Sequence, residues 1–334
     1  MKKRLDELLL TTTDTGSLPI LDDFNGDRTN FEGAILDKLS VGLDYPCYPQ
    51  LQGSPSDPTN MGLQFLIPLS KLEPKIQIRG EEATLLSDEI KSPSEPIGVE
   101  RAEHYVTFLR EHDLRSRVKG LKACVTGPFT LASYLNRKNL MTCGTSKPEV
   151  VKVLTEALSN SCKRLNELGF DLVNVDEPFL SIMLGRKVLF KYDEKFVVEM
   201  LDIMTDEISG FSAIHVCGTI TPLVKKVLLE SKVNIVDHEF AGSPNNLHAY
   251  TKDELESYGK LLAYGCVSSV KPQVETVEEI SASIRTAVNT FGPRIIVKPD
   301  CGFGGMFGIS GAYEVALKKL ENMVKAARTV AESG

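Results

Sequence analysis

The sequence predicts an α/β fold, a (β/α)8 TIM barrel carrying an insertion near residues 69–98. Three observations lead there. Short apolar runs rich in β-branched residues recur along the chain, each ending in polar or small residues. Helical patterns lie between them at the spacing of βα units. No G-x-G-x-x-G follows the first strand, which argues against a doubly wound dinucleotide fold. The 334 residues suit one such barrel, with residues 1–8 peripheral to it.

The predicted strands fall at 8–17, 121–128, 170–178, 212–218, 233–240, 261–268 and 294–302. The second strand has two candidates. One is a short strand near 42–46, after a helix in "AILDKLSVGLDYP"; the other is "LQFLIP" at 63–68. The run 69–98 has strand or hairpin character. Helices are predicted over 147–169, 193–208, 221–231, 276–292 and 312–333. The first of these has Pro148 near its start and Gly169 as its stop.

Composition excludes several classes. Apolar content of 42% and charged content of 25% are those of a globular protein. A net charge of −7 without a basic run points away from nucleic acid and anionic membranes. The apolar stretch near the N-terminus is too short for a secretory signal, and no window reaches the length of a membrane span. Seven scattered cysteines without framework spacing suggest reduced thiols and a cytoplasmic protein.

In a barrel the active site lies at the C-terminal ends of the strands. Those ends carry Asp14–Ser17, Asp176–Glu177, His215 and Cys217, Asp237–Glu239, Cys266, and Asp300–Cys301. His215 and Cys217 are two apart on one strand, so both face the same side. With Glu239 and Cys301 they form a mixed N, S and O set that suits tetrahedral zinc. Cys266 competes with Cys301. Asp237 and His238 compete with Glu239, and alternation puts His238 on the opposite face. Asp44 and Gln50, on the Pro-rich segment 44–60, are further polar candidates for the site. "CGFGGMFG" (301–308) reads as a tight turn.

The segments "TTTDTGSLP" (11–19), "VTGPFTLASYL" (125–135), "VNVDEPFL" (173–180), "HVCG" (215–218), "DHEFAG" (237–242) and "KPDCG" (298–302) carry a resemblance. In this order they resemble the catalytic barrel of cobalamin-independent methionine synthase, especially its short core form. The resemblance implies a thiol methyltransferase making methionine from homocysteine. It implies zinc on His215, Cys217, Glu239 and Cys301. It implies Asp176 on the amino group of homocysteine, joined by Glu100 through a gapped alignment, and Gly16 and Ser17 on its carboxylate. It gives catalytic weight to Asp176 and Glu239, the latter as the ligand that exchanges for substrate thiol.

The sequence departs from the family pattern at the methyl donor. No histidine lies in 265–280, where the family has its catalytic acid, and Tyr134 stands where the family stacks a Trp on the donor. A folate leaving group needs a proton, whereas cobalt(I) does not. The expected donor is therefore a methylcorrinoid, either methylcobalamin or a corrinoid protein docked at the barrel mouth. One alternative is methyl transfer to coenzyme M, which would want a basic group such as Arg186 or Lys187. Another is a non-catalytic zinc-binding barrel.

Overall fold

A computed structural model describes residues 4–19, 28–52, 60–139, 141–185, 187–190 and 192–333. Among the described residues there are ten short strands, six of which form one parallel sheet. These are β5 (Lys122–Thr126), β6 (Leu172–Asp176), β7 (Phe211–His215), β8 (Ile235–Glu239), β9 (Leu261–Val267) and β10 (Ile295–Pro299), each paired with the next. Almost every residue in them is buried. That is the pattern of a sheet covered on both faces.

Two irregular segments complete the circle to eight. Thr12 bridges Val297 of β10, Thr13 bridges Tyr45, and Cys47 bridges Lys122 of β5, all in parallel. The backbone bonds Thr13 N to Val297 O, Tyr45 N to Thr12 O and Lys122 N to Pro46 O close the barrel. The second strand is thus the one expected just after the helix Arg28–Val41. The rival "LQFLIP" is not a strand but the start of the helix Leu63–Leu72. Its six apolar residues are too few to reveal a period by themselves.

Above the barrel, β1 (Ser17–Pro19) pairs in parallel with β2 (Gln50–Gln52). The insertion contains an antiparallel hairpin, β3 (Ile76–Arg79) and β4 (Glu82–Leu85). Asn136 fastens that hairpin to the segment after the helix Pro128–Tyr134: its N–H donates to Ala83 O, and its Oδ1 accepts from Leu85 N.

The helices begin where their caps dictate. Asp193, Thr221, Thr251 and Thr276 each accept a backbone N–H at the first turn. Thr251 and Thr276 do so within capping boxes with Glu254 and Glu279. Helix Pro148–Glu167 starts at its proline, and Gly169 follows its end at φ 87°.

Residues 5–8 are not all peripheral. They form a 3-10 turn whose Leu8 is fully buried. Leu8 packs with Leu172, Phe211, Ile235 and Leu261, the first residues of β6 to β9. An apolar side chain there closes the end of the barrel opposite the candidate site. Residues 1–3 lie outside the described set. Among the described residues no helix is long and apolar enough to cross a membrane.

Candidate metal centre and active site

Strand register places the chemistry. Asp176 of β6 sits beside His215 of β7, and His215 beside Asp237 of β8, a row across the C-terminal end of the sheet. Cys217 follows His215 by two residues. Cys301 enters from the end of β10.

His215 Nε2 lies 2.9 Å from Cys217 Sγ, and Cys217 Sγ lies 3.8 Å from Cys301 Sγ. Among the described residues these three are the group of His, Cys, Asp or Glu with donor atoms within 4.8 Å of one another. Two thiols and an imidazole whose Nε2 faces them are a donor set that fits zinc. Cys301 is the thiol that joins Cys217. Cys266 is buried, its Sγ directed to Lys298 O at 3.5 Å, and burial pushes its thiol up.

The histidine is oriented from behind. Its Nδ1 lies 2.7 Å from Asp237 Oδ1, and a buried carboxylate there accepts the Nδ1 proton. Lys298 Nζ meets the same oxygen at 2.7 Å. Burial works against a charged His215, but Asp237 overrides it and raises the ring to about 10. Burial likewise opposes ionisation of Asp237, yet Lys298 and His215 hold it below the usual carboxylate range. Cys217 is raised well above the ordinary thiol range, first by its bond to Cys301 and then by burial. Cys301 is lowered well below it, by that same bond and, against burial, by His215 and Lys298.

Glu239 stands outside the cluster. It ends β8, but its Oε1 accepts from Ser243 Oγ at 2.6 Å. Three of the four expected ligands converge in the metal-free chain, and Glu239 is turned to Ser243. A strand position fixes where Glu239 starts, while a local hydroxyl decides where its long side chain points. His238 faces away, as alternation requires: it is fully buried, bonded to Val216 O and Tyr250 Oη, and lowered to about 4 by burial.

Asp176 is bonded by Asn174 Nδ2 at 2.6 Å and is pushed up to about 6, mainly by burial. Ser17 reaches the same mouth, with its Oγ accepting from Gly304 N at 3.3 Å in the turn after Cys301. The Gly16 N–H is taken by Asp14 Oδ2 and its carbonyl accepts from Gln50 N. Glu100 is exposed at the first turn of helix Glu100–Glu111 and, among the described residues, is not brought to the cluster. Asp44 belongs to the opposite end of the barrel, where it accepts from Thr12 and pairs with Lys119. Lys187 is exposed, and Arg186 lies outside the described residues.

Three buried groups have roles that the sequence reading did not assign. One is the Asp237–Lys298 pair. The second is Asp300, whose carboxylate accepts from Phe240 N, Ala241 N and Gly242 N and so shapes the loop after Glu239. The third is Glu177, which accepts from Phe129 N, Thr130 N and Thr130 Oγ1 and ties the β6 end to helix Pro128–Tyr134. A Cβ on Gly127 would lie 2.2 Å from that carboxyl, so the approach requires glycine. The available signal was a charged residue inside an apolar strand, as in "IIVKP".

Beside Glu177 opens a cavity of about 310 Å3 lined by Met61, Thr130, Tyr134, Arg137, Phe179 and Ile182 among others. Arg137 lies over the Tyr134 ring at 5.5 Å.

Comparison with known proteins agrees with this geometry. The family model "Cobalamin-independent synthase, Catalytic domain" matches residues 88–329. The chain is 28% identical over 302 residues to the methionine synthase of Methanothermobacter thermautotrophicus, covering 90% of this chain and 89% of that one. Among solved structures it resembles a B12-independent methionine synthase from Shewanella sp. W3-18-1, at TM-score 0.68 and 17% identity over 97% and 98% of the two chains. A methyltransferase from Methanosarcina mazei follows at TM-score 0.59 and 14% identity, over 91% and 86%. These two structural likenesses bear on the fold. The family match decides membership: the chain belongs to the cobalamin-independent synthase catalytic-domain family and, with that family, is a thiol methyltransferase.

Proposed function

We propose that the chain methylates homocysteine to methionine at a zinc ion held by His215, Cys217 and Cys301, with a methylcorrinoid as donor. The observation that carries this reading is the convergence of two thiols and an oriented imidazole beside Asp176 and Ser17. Zinc bound there supplies the Lewis acidity that releases a thiol proton at neutral pH.

The residues around it divide the remaining work. Asp237 holds the Nδ1 proton of His215, so Nε2 is the nitrogen that would ligate on giving up its own proton. Cys301 is already biased to thiolate and needs no strong base to become a ligand. Glu239, held by the hydroxyl of Ser243, would be the oxygen ligand to complete the zinc shell on turning from that bond, and the one that a substrate sulfur would replace. Asp176 receives the substrate ammonium, whose charge draws its buried carboxyl to the ionised form. Ser17 meets the substrate carboxylate, whereas the Gly16 N–H is already taken by Asp14 and the exposed Glu100 has no part in this reading.

The donor assignment rests on two features of the chain. No histidine lies in 265–280 to protonate a folate nitrogen, and Tyr134 replaces an indole in the wall of the 310 Å3 cavity. Transfer from a methylcorrinoid forms the S–CH3 bond and breaks the Co–CH3 bond. Cobalt keeps the electron pair as cobalt(I), and no proton is required. In a cell a methylated corrinoid protein would dock on the open mouth.

A parallel assay with methylcobalamin and methyltetrahydrofolate tests the donor. Methionine should form from the corrinoid, and turnover with folate alone would contradict the assignment. Methionine from neither donor, with another thiol methylated instead, would move the acceptor to coenzyme M or a similar thiol.

A further inference from the structure

We infer that Lys298 and Asp237 act as one positioning bracket that sets the ligands of the metal centre, an inference that rests on the zinc reading above. Lys298 is fully buried in β10. Its ammonium meets Asp237 Oδ1 at 2.7 Å, Pro299 O at 2.8 Å and Asp300 O at 2.8 Å. Three protons find three acceptors.

Each contact leads to a ligand. Asp237 Oδ1 is the oxygen that holds His215 Nδ1. The carbonyls of Pro299 and Asp300 belong to the backbone entering Cys301. The Asp300 carboxylate in turn holds the three amides that follow Glu239. One buried cation thereby couples β7, β8 and β10 at the positions where their ligands leave the strands.

Stability does not explain the pair. Burying an aspartate and a lysine is expensive, and apolar residues of the same volume often do as well. Asp237 Oδ2 is also buried without a partner. What the pair adds is orientation without net charge. A lone Asp237 would orient the imidazole but place another negative charge beside two thiols and Glu239. Lys298 cancels it.

The test is zinc affinity of the full chain, measured by competition with a chromophoric chelator, for wild type, Asp237→Asn, Lys298→Met and the double variant. Each single change should weaken zinc about 10- to 100-fold. The double variant should be no weaker than the worse single one, because the bracket is lost only once. The absorption bands of the cobalt(II)-substituted proteins should shift in the same variants, while their metal-free circular dichroism stays as in wild type. If a single variant does not fold, the double variant, with no unpaired buried charge, carries the test through the same loss of affinity. Wild-type affinity in the variants, or losses that multiply in the double variant, would overturn the bracket alone. A wild-type chain that binds no zinc would overturn the zinc reading beneath it.

Discussion

Two cysteine pairs lie inside this barrel at almost the same sulfur separation, 3.7 Å for Cys47–Cys124 and 3.8 Å for Cys217–Cys301. Their surroundings differ. Cys47 and Cys124 are buried on neighbouring strands, and Cys124 Sγ is directed to the Thr15 carbonyl at 3.5 Å. The bond with Cys47, then burial, then Asp176 push the Cys124 thiol well up, and the nearby Lys122 does not reverse this. Cys301 has a similar sulfur partner but also His215 and Lys298, and its thiol is driven well down. Two sulfurs in contact are therefore not yet a metal site. The adjacent imidazole and cation make one thiol a ready thiolate and leave nitrogen beside it.

Substitutions can break that contrast. The largest effect is expected for Cys301→Ser or His215→Ala. Either should remove bound zinc and lower turnover by a factor on the order of 10³ or more, as losing a group that makes the nucleophile does. Metal content and initial rates check it. The same assays on Cys47→Ala and Cys124→Ala should give wild-type zinc content. Zinc loss in those variants would erase the distinction between the pairs.

The acceptor side sharpens the contrast. Asp176→Asn should keep zinc but lower kcat/KM for homocysteine by roughly 10- to 100-fold, about 1.4–2.7 kcal/mol for a charge-assisted hydrogen bond. An equal loss of zinc would mean that Asp176 serves the metal centre instead.

Glu177 gives the next effect. Burial pushes it up to about 7 against its bonds from Thr130 and Phe129, from an ordinary value of 4.5. A raised carboxyl binds its proton more tightly in the folded chain. Its contribution is fully present below about pH 4.5 and is lost as pH rises through about 7, on the order of 3 kcal/mol. Urea unfolding of wild type and Glu177→Gln at pH 5 and pH 8 reads it. The stability difference should move against wild type at the higher pH, and a constant difference would contradict the shift.

The smallest effect belongs to the inert pair. Cys47→Ala and Cys124→Ala should each cost about 1 kcal/mol in unfolding free energy, the loss of one small buried group.

Much of this molecule is legible in its sequence. Strand and helix alternate visibly because buried strands and amphipathic helices write different apolar periods. Helix ends were readable at Pro148 and Gly169. His215 and Cys217 declared their shared face by spacing alone. Other features depended on the folded chain. "LQFLIP" is too short to separate helix from strand, and even Pro68 is accommodated within its helix. Leu8 looks like the edge of a polar terminus, and only the closed barrel shows the hole that it fills. Lys298 finds Asp237 across two strands, a pairing that local pattern cannot contain. Glu239 turns on one hydrogen bond to Ser243, which strand position does not set.

X-ray absorption at the zinc edge, with and without homocysteine, tests the central claim most directly. The expected result is two sulfur neighbours at about 2.3 Å with nitrogen and oxygen completing the shell, rising to three sulfurs when homocysteine is added. A shell of nitrogen and oxygen alone, or a sulfur count unchanged by homocysteine, would contradict it.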